Sequence, residues 1–495
     1  MALGMLGCVA VWLTSRHGIG VSPDSVTYLT VARNLASGHG LVDPRDGALL
    51  VTFPPLYPAM LALGEIAGGG AFETARWLSA AALAVSVVAT GAIVRTATGS
   101  IVAAGVAAAL TLSGTAILLV HAFAWSEPPF IATSLLSSWL LLRHLRSPRR
   151  RALIAAAALA GAAWLIRYAG FGLVAAGAVA LGVAGPRTGR ERLSDVWRFL
   201  AVSIAPALLW AAATVVGSGS VAGRRLGWHP PGPEALGAGA RALAAWVLPA
   251  AVPAAAGVTL VLGLVAVALA QSVAPGSAPD RAFAGMAGRF LLSVAGAHVA
   301  VTAITMTFLD AATVPDARIL APAFPFVVAG IAAVAHAPVA ALVSSGGARR
   351  ALALAIGVVL LAVPAVRAVA WVGGRREQAL GFTSERWQAS PLLGAVRGLP
   401  PDAVVFTTDT AVVYWITGRV PRPLPLRFDP HTLDANPDYR AELQRMGRDL
   451  QASGGAVALF DPMPPHLPSE AELRKLLGLV TAGEFADGRL LVAPD

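Results

Sequence analysis

Charge is scarce in this chain. Of its 495 residues only 13% are Asp, Glu, Lys or Arg, against 56% hydrophobic. Soluble domains carry about 25% charged residues, so a mean hydropathy of +0.68 excludes water as the solvent for most of the molecule. Lysine is nearly missing: Lys475 is the only one, and the other basic residues are arginine. With the Ala, Gly and Val richness, this points to a GC-rich bacterial genome. The single cysteine, Cys8, excludes an internal disulfide and a thiolate metal cluster and speaks against redox chemistry. There is no P-loop, no G-x-G-x-x-G after a strand, no H-E-x-x-H and no G-x-S-x-G. A nucleotide-driven pump, a zinc protease and a serine hydrolase therefore have no support. Internal repeats are lacking as well.

What is present is a series of apolar runs. One bilayer crossing takes roughly 20 apolar residues. The candidate helices are residues 2–13, 75–95, 100–122, 128–142, 152–166, 169–185, 198–216, 247–270, 290–309, 319–335 and 351–371, about eleven in all. Helices are preferred to a barrel, whose strands would alternate over about ten residues. The first run lacks a basic n-region and a cleavage site, so it reads as a retained helix.

The net charge of +10 is spread between apolar runs rather than gathered in one domain, so it marks topology and not a nucleic-acid partner. One loop carries Arg143, Arg146, Arg149, Arg150 and Arg151, and another carries Arg187, Arg190, Arg192 and Arg198. Arg281 with Arg289 and Arg349 with Arg350 fall on the same side by helix count. The positive-inside rule then makes that side cytoplasmic. The expected placement is a bacterial plasma membrane, with the N-terminus inside and the long first loop, 14–74, outside.

Residues 1–371 read as one membrane domain. Beyond Trp371 the chain turns polar, with short apolar runs at Ala403–Phe406 and Ala456–Phe460 that suit buried strands and a helical pattern from Arg440 to Gln451. Residues 372–495 are expected to form a small extracytoplasmic α/β domain. Within it, Thr407 to Arg419 reads as strand, turn and short helix, with Thr408 or Asp409 as cap.

Three places concentrate chemistry. The first loop runs Val21-Ser-Pro-Asp24-Ser25-Val-Thr-Tyr28, with Arg33 and Gly38-His39-Gly40 following, then Pro54-Pro55-Leu56-Tyr57-Pro58. Asp24 or Ser25 suits the cap of a helix closed by Gly38, and capping alone is one account of the aspartate. Trp125-Ser126-Glu127-Pro128 puts a carboxylate at the hydrocarbon edge, a costly position that tends to mark function, though a hydrated interfacial group is the rival reading. His121, one turn earlier, either faces the same region or is structural. Arg167 and Arg318 interrupt apolar sequence at outward helix ends. Arginine suits phosphate because it stays charged and bonds in a bidentate fork; snorkelling, or pairing with Asp310 or Asp316, is the alternative for each.

Taken together, the Asp24-Ser25 loop with Tyr28, the Pro54-Pro55-x-Tyr57-Pro58 run, Ser126-Glu127-Pro128 and the Asp316-x-Arg318-x-Leu-x-Pro322 run resemble the GT-C superfamily of membrane glycosyltransferases. The similarity is to the polyprenyl-phosphate-sugar-dependent protein mannosyltransferase and aminoarabinose transferase type. The resemblance implies an α-helical polytopic membrane protein with a small C-terminal domain. It implies transfer of a sugar from a polyprenyl-phosphate donor to an acceptor hydroxyl of a glycan, lipid or protein at the outer face, with inversion. Asp24 is then the implied base, Glu127 a second catalytic carboxylate, and Tyr28, Arg33, Tyr57, His121, Arg167 and Arg318 substrate-binding residues. Many relatives place a second acidic residue where Ser25 stands, which leaves open whether a divalent cation joins Asp24 and Glu127. The rival from another class is a transporter or flippase for a lipid-linked or polar solute, with Glu127 and Arg167 in its pathway.

Overall fold

A computed structural model describes residues 1–183, 188–219, 223–249, 251–273, 278–344 and 346–494; Gly185, Arg187 and Ala250 lie outside the described residues. Each of the eleven apolar runs contains helix, but length and composition alone do not mark all eleven as full crossings among the described residues. Among the described residues six helices suffice: Ala71–Thr98, Gly189–Ser218, Ala254–Val273, Pro279–Leu309, Ala317–Ser344 and Ala348–Arg376. A seventh is gained if Ile101–Leu112 and Thr115–His121, bent by 60°, are one span. The bend falls at Ser113-Gly114, where the Phe324 ring lies 2.6 Å from where a Gly114 Cβ would sit.

Other runs are shorter, or, like Glu127–Arg146, more polar and largely enclosed by protein. Glu127–Arg146 packs on Arg150–Ile166 and buries Ser134, Ser137 and Ser138, the Ser137 hydroxyl donating to the Ala156 carbonyl at 2.8 Å. The run expected from Val247 becomes helical only at Ala254, after Pro249 and Pro253, each lacking an N–H for the ladder. The helix expected from Arg198 starts earlier, at Gly189, because Thr188 and Glu191 form a capping box. Leu56–Ile66 and Pro233–Ala244 are helices that the apolar pattern did not single out.

Arginine-rich loops meet at one end, where Arg146 pairs with Asp280 at 2.9 Å and His144 with Asp195 at 3.3 Å. The first loop, Arg167, Asp310 and the C-terminal region gather at the other. That C-terminal region is built on five strands, β1 (Val405–Thr407), β2 (Arg422–Pro423), β3 (Ala456–Phe460), β4 (Val480–Phe485) and β5 (Gly488–Val492), in the order β2-β1-β3-β5-β4. β1 runs parallel to β2 and β3, while β5 is antiparallel to β3 and β4. Because strand side chains alternate, Val457 and Leu459 of β3 enter a local core with Leu443, Met446 and Leu450 of the helix Tyr439–Ser453. Ala456, Ala458 and Phe460 join the main core that continues into the membrane helices.

Two ties fix the C-terminal region to the first loop and its surroundings. Val21 pairs with Gly381, its carbonyl accepting from Phe382 N–H at 2.7 Å, and its neighbour Gly20 pairs with Phe123. Gly381 has φ +62°, and a Cβ there would lie 2.0 Å from the Val21 oxygen. Gly381→Ala is expected to break this bridge and to lose about 1–2 kcal/mol from the left-handed conformation alone. Thermal unfolding in detergent and hydrogen exchange at Phe382 would measure both effects.

The second tie is Asp310, which accepts from His431 Nδ1 at 2.8 Å and pairs with Arg224, while Ala311 N–H donates to the His431 carbonyl at 2.8 Å. The hydrogen bond to Asp310 raises the His431 pKa against the effect of burial. Burial works to raise Asp310, but His431 and Arg224 outweigh it and hold the carboxyl below its ordinary range. The histidine contribution is therefore full below its unperturbed value of 6.5 and is lost as pH rises through the raised value. The aspartate contribution is full above 3.8 and is lost as pH falls through the depressed one. Protection of the Ala311 amide, relative to its intrinsic exchange rate, is expected to be greatest between these limits and to fall as pH rises through the raised His431 value.

Candidate active site

The helix Pro23–Ala36 begins with Ser22 as N-cap, its hydroxyl facing Ser25 N–H at 3.5 Å. This corrects the expectation that Asp24 or Ser25 caps it. Pro23 occupies the first helical position, where its missing N–H costs nothing, so the cap falls one residue before it. Asp24 is thereby released from local duty, its side chain 31% exposed. Ser25 is fully buried beside the Ser22 hydroxyl at 3.2 Å, an interior position with no solvent for a second carboxylate.

Asp24 Oδ2 pairs with Arg318 Nη2 at 2.7 Å, and Arg318 Nε donates to Glu127 Oε1 at 2.6 Å. Arg167 Nη1 reaches the same Glu127 oxygen at 2.9 Å and the Ser126 hydroxyl at 2.9 Å. Four expected residues thus form one chain of charges, Asp24–Arg318–Glu127–Arg167. Glu127 has no exposed surface and lies in the first turn of its helix, where the helix dipole favours a negative charge. Arg318 follows Asp316, which caps its helix by accepting from Ile319 N–H at 2.9 Å. Asp316 is spent on the cap, and Asp310 on His431 and Arg224, so neither is the partner of Arg318. Arg167 sits in extended backbone between Arg150–Ile166 and the short helix Tyr168–Gly170, the expected tight turn.

Tyr28 is buried one helical turn from Asp24, its hydroxyl 3.2 Å from that of Ser126. Tyr57 packs edge-on against the Tyr28 ring with centroids 4.9 Å apart; its hydroxyl is buried with no partner. His121 is buried too, Nδ1 donating to the Ile117 carbonyl at 2.7 Å and Nε2 left without a partner. Arg33 is not drawn in: it lies exposed in the last turn of the same helix as Asp24, about 14 Å along the axis.

Sequence reasoning quoted Trp125 and Ser126 without a role and passed over Ser22 and His298. Trp125 Nε1 donates to Ser22 Oγ at 2.7 Å, and its ring carries the Arg318 guanidinium 4.1 Å from the centroid. His298 Nε2 donates to the carbonyl of Ile319, next to Arg318, at 2.8 Å. The contacts of Trp125 join segments more than a hundred residues apart, the His298 bond spans a helix end and the segment after it, and adjacency to Glu127 was the only hint for Trp125 and Ser126.

The donor set does not favour a divalent cation held by protein alone. Asp24 and Glu127 each bind Arg318 through a different nitrogen, so an ion bridging them would have to displace that arginine. No group of three His, Cys, Asp or Glu side chains suited to a metal exists among the described residues.

Ala317, the residue before Arg318, lines an apolar cavity of about 470 Å³ between the Gly114–Leu119 segment, Trp246, Phe324 and Trp371. Its one charged lining residue, Arg367, donates to the Ala245 carbonyl at 2.8 Å.

Residues 52–214 match the family described as dolichyl-phosphate-mannose-protein mannosyltransferase. No curated sequence matches the chain significantly. Among solved structures, ArnT from Cupriavidus metallidurans bound to undecaprenyl phosphate is similar over 100% of this chain and 99% of its own, with a TM-score of 0.59 and 13% identity. Its apo state gives the same TM-score and identity over 98% of that chain. Arabinofuranosyltransferase AftD from Mycobacteria is similar over 100% of this chain but only 40% of its own, with a TM-score of 0.58 and 14% identity. The chain thus shares the fold of these solved structures along its whole length, apolar helices with a small C-terminal sheet, and matches the mannosyltransferase family's pattern over about a third of it.

Proposed function

We propose that the protein is a membrane glycosyltransferase that moves a sugar from a polyprenyl-phosphate carrier to an acceptor hydroxyl, with inversion, at the extracytoplasmic face. The observation that carries this reading is the charge chain Asp24–Arg318–Glu127–Arg167, set beside an apolar cavity whose wall includes Ala317. A lipid-linked sugar phosphate needs those two environments together. The cavity lies within the roughly 300–1,000 Å³ of ordinary ligand pockets and suits the first isoprene units. The guanidinium groups of Arg318 and Arg167 suit the phosphate.

In the reaction Asp24 accepts the proton of the acceptor hydroxyl while its oxygen bonds to the anomeric carbon from the face opposite the phosphate. The anomeric C–O bond breaks, its electron pair leaves with the phosphate, and polyprenyl phosphate departs. Arg318 and Arg167 neutralise the charge that grows on that leaving group. Glu127 holds both arginines and takes no proton. Because Arg318 Nη2 contacts Asp24 directly, the arriving phosphate competes with the aspartate for the same nitrogen. When the phosphate takes it, the carboxylate is free for the acceptor. The arginine-rich loops at the far end favour that end as cytoplasmic, which supports an extracytoplasmic site.

Purified protein incubated with radiolabelled polyprenyl-phosphate sugars and membrane acceptors tests the reading: free polyprenyl phosphate is the expected product. Solute movement across proteoliposomes without any such release would establish the transporter instead.

A further inference from the structure

We propose that Trp125 is the positioning residue that sets the spacing between Arg318 and Asp24. The inference rests on the glycosyltransferase reading, which assigned Trp125 nothing. Its indole has three engagements. The N–H donates to Ser22 Oγ at 2.7 Å, and Ser22 is the N-cap of the helix that bears Asp24. One ring face carries the Arg318 guanidinium at 4.1 Å. The ring also stacks on Phe123, centroids 4.2 Å apart and planes within 9°.

Phe123 is itself held. Gly20 pairs with it, and a Cβ on Gly20 would lie 2.7 Å from its ring. Trp125 is only 7% exposed, so neither ring face serves as a sugar platform. The indole works instead as a rigid spacer between two elements nearly three hundred residues apart in sequence. The guanidinium rests on its face by cation–π attraction, and the helix start bearing Asp24 hangs from its edge. The next two residues, Ser126 and Glu127, bind Tyr28, Arg167 and Arg318 directly. The segment Phe123–Glu127 is thereby a single frame for both the base and the phosphate-binding arginine. Misplacement of reacting groups by about 1 Å costs up to 10²-fold in rate, which is the sensitivity such a spacer controls.

The test uses the full chain in nanodiscs and the variants W125F, W125L, S22A, S22T and W125F/S22A. W125F keeps a ring under Arg318 but loses the bond to Ser22. It is expected to lower kcat about tenfold, with the KM for the polyprenyl-phosphate sugar little changed. S22A should do the same, S22T should recover the larger part of that loss, and the double variant should be no worse than the worse single. W125L removes the arginine's platform as well and should raise that KM severalfold. Wild-type kcat in W125F, or losses that multiply in the double variant, would overturn the proposal. Hydrogen exchange at the Ser25 and Val26 amides gives a readout that needs no substrate: W125F should accelerate it, and unchanged exchange overturns the tie to Ser22. A wild-type protein that transfers no sugar defeats the functional reading but leaves this exchange result standing.

Discussion

Asp24→Asn is expected to reduce transfer by about 10² to 10⁴, the usual contribution of a general base, while leaving the protein folded and able to bind polyprenyl phosphate. The side chain accepts no capping bond, since Ser22 is the N-cap, so the loss cannot be ascribed to helix unravelling. Its single ion pair, with Arg318, keeps a second partner on the arginine in Glu127. Asparagine retains size and one acceptor oxygen but cannot take up the proton. Release of polyprenyl phosphate, followed beside thermal unfolding, separates these effects. An Asp24→Asn protein with full transfer would remove Asp24 from the mechanism.

Glu127→Gln is expected to act on stability first. Glu127 is fully buried and answers two guanidinium groups, Arg318 at 2.6 Å and Arg167 at 2.9 Å. Removing one partner of a buried ion pair costs about 3–5 kcal/mol, chiefly because the remaining charge stays in low dielectric. A marked fall in the unfolding midpoint in detergent is the expected result, together with weaker binding of polyprenyl phosphate as the two arginines lose their common anchor. The double variant Glu127→Gln/Arg318→Gln should regain part of the stability without regaining transfer. An unfolding midpoint for Glu127→Gln equal to that of the parent would show that the charge chain is not structural.

The two substitutions separate because the site divides its labour by exposure. Asp24 is partly open, its side chain 31% exposed. Glu127, with no exposed surface, faces Arg318 and Arg167. Two acidic residues that looked alike as outward carboxylates in the sequence therefore have different surroundings, and the two substitutions test whether they have different tasks.

Much of this organisation was legible from the chain itself. Hydropathy gave the positions of the membrane helices because an apolar run of sufficient length has few alternatives in lipid. Charge asymmetry grouped the arginine loops on one end, and helix alternation placed Asp24, Glu127, Arg167 and Arg318 together on the other. The strand pattern of Ala456–Phe460, the helix near Arg440 and the strand–turn–helix after Thr407 were readable from local periodicity, with Asp409 capping as expected.

What sequence determined, then, was where the long apolar helices run, which end the arginine-rich loops and the candidate site residues occupy, and which side chains are chemically suited to a sugar phosphate. Each of these follows from local composition and period. Tertiary structure decided the rest. It wrapped a helix such as Glu127–Arg146 in protein, so that this helix does not need an apolar surface. It chose Ser22 over Asp24 as the cap and left Arg33 outside. It turned four scattered charges into one chain, hung from an indole whose partners lie a hundred and nearly two hundred residues away. Contacts at such separations depend on how helices pack, and no short window of sequence contains that information.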